Sequence, residues 1–562
     1  MNTDAFDYIV VGGGAAGCVV ASRLSEDASR QVLLLEAGTH DKSLFIRMNG
    51  GYFRTMHTER TVTYHTEPDS HTNNRTIPVM QARTLGGGHS INGMVYIRGQ
   101  REDYDGWASQ GCEGWSYADV LPYFKKAENN QRFSGGLHGN DGPLMVSDNS
   151  YRHVLSEAFV HAAQEAGREN GISIRYNDDF NGAFQDGVGY YQTTSKKGER
   201  CSTARGYLRP AMNRPNLQVR TRSRVARVLI ENKRAVGVVL LDEAGKEFEI
   251  RARKEVIVCA GALISPKLLM LSGIGPAEHL RELGIDVVSD LPGVGENYQD
   301  HLVVPVDGKL KDPISLLGQD KGLKAIRHGM EWVLRRSGLL SSNLVESGGF
   351  FDLDNDGRPE IQIHTLAMAS TSWGKLEGTV DVSVPEHGYS VAPCCLTSHS
   401  RGTVRLRSAN PSDAPILDAR YLSDSRDVQN LIRGVRLARQ ILKAPAMARF
   451  MDSELMPGAN VSDDDAALEQ YVREHVQNAF HPAGTCAMGV DATSVVDLEL
   501  RVRGVDGLRV ADASVMPELV RGNTTAPTSM IAERAVEFIS RQEKTGGVGT
   551  MERPRAGLVG AA

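Results

Sequence analysis

The stretch "DYIVVGGGAAGCVVASRLSEDASRQVLLLEAG", Asp7 to Gly38, decides the fold. Tyr8 to Val11 make a continuous β-rich apolar run, as in a strand buried on both faces. Gly12, Gly14 and Gly17 then give a G-x-G-x-x-G turn, and a helix runs roughly from Ala15 to Ser25, with Ala15 and Ala16 opening it. Val32 to Leu35 form a second strand ending in Glu36 and Ala37. The first glycine permits the tight turn, the second lets backbone approach a pyrophosphate, and the third lets helix and strand pack closely. The positive helix end faces the phosphates, and Glu36 is placed to accept hydrogen bonds from ribose hydroxyls. With strand, turn, helix, strand and terminal acid all in order, the pattern reads as dinucleotide binding. It does not say which dinucleotide.

The remainder of the 562 residues is too long for one core, so two domains are expected. Apolar residues make up 41% and charged ones 23%, as in an ordinary globular protein. The net charge of -6, with no strong basic run, argues against a nucleic-acid partner. The start "MNTDAFDYIVV" carries acids where a signal peptide carries bases. The most apolar long stretch, "VIVCAGALISPKLLMLSGIG" (256–275), is interrupted by Ser265, Pro266 and Lys267 and does not read as a membrane span, which leaves peripheral association with a membrane face open. Seven scattered cysteines without metal-ligand spacing fit a reduced, cytoplasmic setting.

Two later regions complete the first unit. "KEVIVCAGALISPKLLMLSGIGP" (254–276) is another buried strand followed by Ala260, Gly261 and a helical run. "GLRVADASVMPELVRGNTTAPTSMIAERAVEFI" (507–539) gives a strand, a polar turn at Asp512 and a final helix near Pro527 to Ile539. The dinucleotide domain is therefore expected to assemble from both chain ends. Between roughly 301 and 477, runs such as "EIQIHTLAM" and "GTVRLRS" mixed with helices read as an inserted α+β domain roofing the cofactor. From Gly546 the chain is poor in large apolar groups and reads as a frayed tail.

With these pieces in place the chain resembles the glucose-methanol-choline (GMC) oxidoreductases, with the look of their bacterial alcohol, choline and sorbose dehydrogenase branch. Four blocks carry the likeness: "VVGGGAAG", "RTLGGGHSINGMVYIRG" (83–99), "GALISPKLLMLSGIG" (261–275), and "HPAGTCAMG" (481–489) followed by "VVD", "LRVADASVMP" and "GNTTAPTSM". The resemblance implies an α/β, Rossmann-like FAD-binding domain, mainly residues 1–300, with 41–80 and 151–200 contributing to a lid or substrate domain. It further implies a substrate-binding domain over 301–477 and a return to the FAD domain over 478–545. It implies non-covalent FAD rather than NAD. Matched residue by residue, Gly12, Gly14, Gly17, Glu36 and Ala37 hold ADP. Arg83, Gly86, Gly87 and the stretch Asn92, Gly93, Met94, Val95 pass along the flavin. Val225 meets adenine, Ala260 and Gly261 add an ADP contact, and Asp512, Ala513, Asn523 and Thr524 return to the ribityl chain and ring.

His481 precedes Pro482, which holds it extended on its loop. A neutral imidazole there can take a proton near neutral pH, and it matches the family's catalytic base. Asn523 matches the second member of the family's His-His or His-Asn pair, able to orient the alcohol oxygen. Glu346 in "SNLVESGGF" is a pocket carboxylate or a structural one, with the structural reading favoured. His364 and His399 are strand histidines within reach of a substrate, read first as ordinary core or surface groups. Cys394 and Cys395 fill space, and His301 in "NYQDHL" takes a structural role. His89 stands where the family usually has Ser or Thr, so an imidazole nitrogen would replace a small hydroxyl beside the cofactor. Covalent flavin attachment in some relatives uses a histidine two positions later, where this chain has Ile91. The leading reading is oxidation of a small-molecule alcohol to an aldehyde or ketone, with electrons passing to a quinone, a dye or oxygen. Flavin-containing lyase or decarboxylase chemistry on the same fold is the alternative.

Overall fold

A computed structural model describes residues 5–169, 173–242, 244–370 and 386–544; the tail expected from Gly546 lies outside them. Strand Ala5–Val11 pairs in parallel with Val32–Leu35 on one side and with Glu247–Val258 on the other. Leu217–Arg220 extends the parallel set beyond Val32–Leu35, and the antiparallel strands Arg234–Leu241 and Arg224–Glu231 finish the other edge. Ile9, Val10, Leu33 and Leu34 have no exposed surface, as a strand covered on both faces requires. The glycine spacing is forced by the chain itself. A Cβ on Gly17 would lie 1.8 Å from the Gly12 carbonyl oxygen, and one on Gly12 would lie 2.5 Å from that of Cys259.

The C-terminal return is a strand, Leu508–Val510, laid parallel on Glu247–Val258 with Val256 opposite Leu508. It delivers Asp512 to the carboxyl ends of the parallel strands, where open α/β sheets place their ligands. The helix that follows spans Thr525–Lys544 and packs on the first helix, Ala15–Leu24. It is longer than the Pro527–Ile539 segment read from apolar spacing. Its polar last turn is held by Glu543, which accepts from the Tyr8 hydroxyl at 2.5 Å and pairs with Arg30 at 2.8 Å.

A second, antiparallel sheet runs in the order Met451–Met456, Asp307–Leu310, Gly388–Cys395, Ile361–Leu366, Ser347–Phe351, Gly187–Tyr190. Helices Ser425–Lys443 and Val154–Glu169 pack against it, around a core separate from that of the first sheet. The "GTVRLRS" run is not part of this sheet: Thr403–Arg405 pairs only with Ile416–Asp418, and the Val404 N–H donates to the Gly295 carbonyl at 2.7 Å. The short strand Leu302–Val303 pairs both with Cys394–Cys395 and with Gln477–Asn478, which brings residue 301 beside the loop that carries residue 481. Cys394 and Cys395 are buried and unpaired, like the other five cysteines. Among the described residues no helix is long and apolar enough to cross a membrane.

Candidate active site

The glycine turn, the 86–95 loop and the 260–261 turn lie together at the carboxyl ends of the parallel strands. A Cβ on Gly14 would come no nearer than 3.8 Å to the chain, at the Cys259 oxygen, and one on Gly88 or Gly261 would meet nothing within 4 Å. These neighbouring segments thus present bare backbone to open space, with Ala15 and Ala16 starting the helix whose N-terminus faces it. Glu36 is buried; its Oε2 accepts the Gly13 N–H at 2.8 Å and its Oε1 the Gly38 N–H at 2.7 Å. Burial pushes its carboxyl up, and these two N–H groups pull the other way. Each oxygen keeps a second lone pair for a ribose hydroxyl. Ala37 continues the strand end, and the Arg83 carbonyl accepts the Thr39 N–H at 3.1 Å, so Arg83 joins the cradle through its backbone. Val225 is buried opposite Leu240.

Asp512 knits the two ends together. Its Oδ2 accepts from the Gly261 N–H at 2.8 Å and the Ser265 hydroxyl at 2.6 Å, while its Oδ1 accepts from the Ser514 N–H at 2.8 Å across Ala513. Ala260 donates its N–H to Ser265 Oγ at 3.1 Å. Donors, bare backbone and a carboxylate in this order fit a dinucleotide.

The 86–95 loop departs from expectation in two details. Gly86 and Gly87 are left-handed, but a Cβ on Gly87 would lie 2.8 Å from Gly14 Cα and one on Gly86 2.2 Å from Ser90 Oγ. Packing within the chain thus requires glycine at both positions, and the loop is open at Gly88. Asn92 ties the loop to the last helix by donating to Thr525 Oγ1 at 3.1 Å, and its Oδ1 accepts from Met94 N–H at 3.0 Å. Asn343 donates to the Gly93 carbonyl at 2.7 Å, and Val95 bridges to Thr193. The sequence reading missed Arg200, a buried guanidinium that donates to the carbonyls of Ile46, His89 and Asn92 and to Asn92 Oδ1 at 2.7–3.1 Å. Burial pushes it down to about 9.

His89 is the second departure. Its Nε2 sits 2.8 Å from Thr194 Oγ1, and its Nδ1 accepts the Thr203 N–H at 3.2 Å. Both ring nitrogens are engaged by protein groups. Burial, aided by the Arg200 charge, pushes the imidazole down to about 3. A histidine that is neutral when folded but takes a proton when unfolded lends stability above its unfolded value of about 6.5, and loses it as pH falls towards about 3. His89→Gln removes that linkage while neighbouring acids titrate alike in both proteins. Denaturant melts should show the stability gap between wild type and variant shrinking by about 1.4 kcal/mol per pH unit below about pH 6.5. A gap independent of pH would mean that His89 is solvated.

The polar end of the cradle holds His481. Its N–H donates to Asp300 Oδ1 at 2.8 Å, and its Nδ1 lies 3.0 Å from His301 Nδ1. Its Nε2 is 3.3 Å from Asn523 Nδ2. Gln362, also missed in the sequence, donates to Asn523 Oδ1 at 3.2 Å and so turns the Asn523 amide N–H towards His481. Nε2 is then the acceptor, and Nδ1 carries the proton that His301 accepts. Burial holds His481 well below the ordinary histidine value, with His301 and His364 adding to the shift. Burial likewise holds His301 down to about 3 and His364 down to about 4. Asp300 is fully buried and pushed up to about 7, against the opposing donors His481 N–H and Tyr298. Thr524 caps the last helix by accepting the Thr528 N–H at 3.0 Å.

His301, read as structural, is thus in direct contact with His481. His364 shares a strand face with Gln362 and lies beside Tyr191, with ring centroids 5.8 Å apart and the rings tilted by 45°. His399 is elsewhere: its N–H binds Asp427 at 2.9 Å, and it lines a separate cleft with Asp69, His71 and Arg401. Glu346 is buried and accepts from the His153 N–H at 2.6 Å, the Ser156 hydroxyl at 2.9 Å and the Ser342 hydroxyl at 2.6 Å.

Comparison with known proteins gives a consistent result. Family models described as GMC oxidoreductase match residues 6–303 and 398–532. The chain is 42% identical over 545 residues to an alcohol dehydrogenase [acceptor] of Pseudomonas putida, covering 96% of each. It is 42% identical over 538 residues to an oxygen-dependent choline dehydrogenase of Brucella ovis, covering 95% of each. Among solved structures it resembles pyridoxine 4-oxidase from Mesorbium loti, with TM-score 0.84 and 28% identity over 95% of this chain and 99% of that one. Formate oxidase superposes with TM-score 0.87 at 26% identity, covering 97% of this chain and all of the other.

Proposed function

The chain belongs to the GMC oxidoreductase family, and on that premise we propose that it oxidises an alcohol to an aldehyde or ketone, with FAD held non-covalently and His481 as the general base. The observation that carries this reading is a neutral imidazole with its Nε2 lone pair turned to Asn523 at the end of the dinucleotide cradle. When bound, FAD supplies the hydride acceptor. The 3.3 Å contact between Asn523 and His481 is at the long end for a hydrogen bond, so an alcohol can replace it: the hydroxyl donates to His481 Nε2 and accepts from Asn523 Nδ2. His481 then takes the hydroxyl proton, and the new charge on the ring is met by Asp300 through the backbone and by the His301 lone pair at Nδ1. Asp512, Ala513 and Thr524 bring the last helix to the cradle, where its positive end would favour negative charge on a flavin held there.

Non-covalent binding agrees with Ile91 at the tether position and with both His89 nitrogens being engaged. Glu346 accepts from three protein donors, which supports the structural role favoured for it in the sequence. The 301–477 segment roofs the cofactor and sets which alcohol enters. Electrons leave to a quinone, a dye or oxygen; of the relatives above, one is named for an unspecified acceptor and the other for oxygen. The test is anaerobic: a panel of primary and secondary alcohols is added to the yellow protein, and some members should bleach the flavin's visible band. Persistence of the band with every alcohol would overturn oxidation in favour of the lyase reading.

A further inference from the structure

One helix, Gly322–Arg335, is built inside out. It is anchored by Trp332 and His328, both buried, with Trp332 Nε1 donating to the Gly198 carbonyl at 2.8 Å. Its large apolar side chains face outward instead: Leu323 is 85% exposed, Leu334 80%, Ile326 56%, Met330 55% and Val333 55%. At 100° per residue these five fall on one arc of the wheel, opposite Trp332. A helix of a globular domain normally turns such a stripe to the core, and a contiguous exposed apolar patch marks an interaction site. A second exposed pair, Leu44 and Phe45, adjoins its C-terminal end, because Arg47 and Arg336 both pair with Glu199 Oε1, at 2.6 and 2.8 Å.

Charge says what covers it. Lys321, Lys324, Arg327 and Arg335 are exposed on this segment, with Arg327 bordering the apolar arc and the other three further round the same side beside the single acid Glu331, which leaves a net basic stretch on a chain whose net charge is -6. We infer that this helix, with Leu44 and Phe45, seats the protein on an anionic lipid bilayer, the apolar arc entering the headgroup boundary and the basic side chains reaching its phosphates. An apolar stripe bordered by lysine and arginine is the pattern of helices that lie in a membrane interface. Long basic side chains snorkel their stems along such a surface. The seat is not remote from the cradle: the chain leaving this helix reaches Asn343, which holds the Gly93 carbonyl of the 86–95 loop.

The flavin-loaded protein is sedimented with vesicles of phosphatidylcholine, with and without phosphatidylglycerol. It should pellet with the anionic vesicles and release at high salt. Lys324→Gln with Arg327→Gln should weaken binding about 30-fold, at about 1 kcal/mol per charge near the surface. Leu323→Asp with Leu334→Asp, both at exposed positions, should weaken it more than about 100-fold. Unchanged far-ultraviolet circular dichroism and flavin content would confirm that each variant is folded. Protein that stays in the supernatant with anionic vesicles, or apolar variants that bind as wild type does, would overturn the inference. So would light scattering that shows a dimer which Leu323→Asp dissociates, since the stripe would then cover a second copy.

Discussion

His481→Ala is expected to slow anaerobic flavin reduction by alcohol at least about 100-fold, while the protein keeps its flavin and its fold. The size follows from what the side chain does. Among the described residues no other group offers a neutral, inward-facing lone pair beside the Asn523 amide: His301 Nδ1 is turned to His481 itself, and Asp300 is occupied by the His481 N–H and the Tyr298 hydroxyl. Water filling the gap can accept the proton, but without an oriented lone pair, and general-base contributions of about 100- to 10000-fold are typical. The pH profile separates this role from mere packing. A base must be unprotonated, and burial holds His481 well below 6.5, so the wild-type reduction rate should stay flat as pH falls through the ordinary histidine range and drop only below it. The variant should lack that acid limb and be partly restored by added imidazole. A near-native reduction rate in His481→Ala would remove it from the role of base.

The dinucleotide unit was legible because its determinants are local. Strand, turn and helix lie within the first 40 residues, and the structure gives Val32–Leu35 and the helix start at Ala15 as read. The central strand was only half seen. "KEVIVC" announced its buried end, but Glu247–Arg253 is mostly exposed and is strand because it forms a hairpin with Arg234–Leu241. The last helix was read short for the same reason: apolar spacing stops at Ile539, and the turn beyond is held by Tyr8 and Arg30, more than 500 residues away in sequence.

The site shows a sharper division. His481 and Asn523 carried motif signals, and they meet. Their supports did not, because each is brought in by sheet pairing. His301 reaches His481 because Leu302 pairs with Asn478. Gln362 left a readable trace: in strand Ile361–Leu366 the apolar Ile361 and Ile363 are fully buried, yet Gln362 on the opposite face is buried too. A polar residue alternating with core residues reads by default as solvent-facing; here the second face looks onto the site. Arg200 left no trace, since only the folded loop shows that "GERCSTARG" turns one arginine inward.

Gly14→Val is expected to abolish stoichiometric flavin without unfolding the chain, and this pairing of outcomes is what makes it informative. Gly14 has φ -73 and ψ -162, extended backbone that valine adopts readily. Its added Cβ would meet the chain only at the Cys259 oxygen, at an ordinary 3.8 Å. The apoprotein should therefore melt where wild-type apoprotein does. Gly17 differs, because there a Cβ would sit 1.8 Å from the Gly12 oxygen and the strand, turn and helix could not close. The valine branches of Gly14→Val enter the space in front of the helix N-terminus. Overpacking a close contact costs about 1–3 kcal/mol, or about 5- to 150-fold in affinity for the cofactor. Adding FAD at about 100 times its dissociation constant should stabilise wild-type apoprotein by about 2.7 kcal/mol, and the variant at the same concentration by much less. Full flavin content in Gly14→Val would place the phosphates elsewhere, away from the second glycine of the motif.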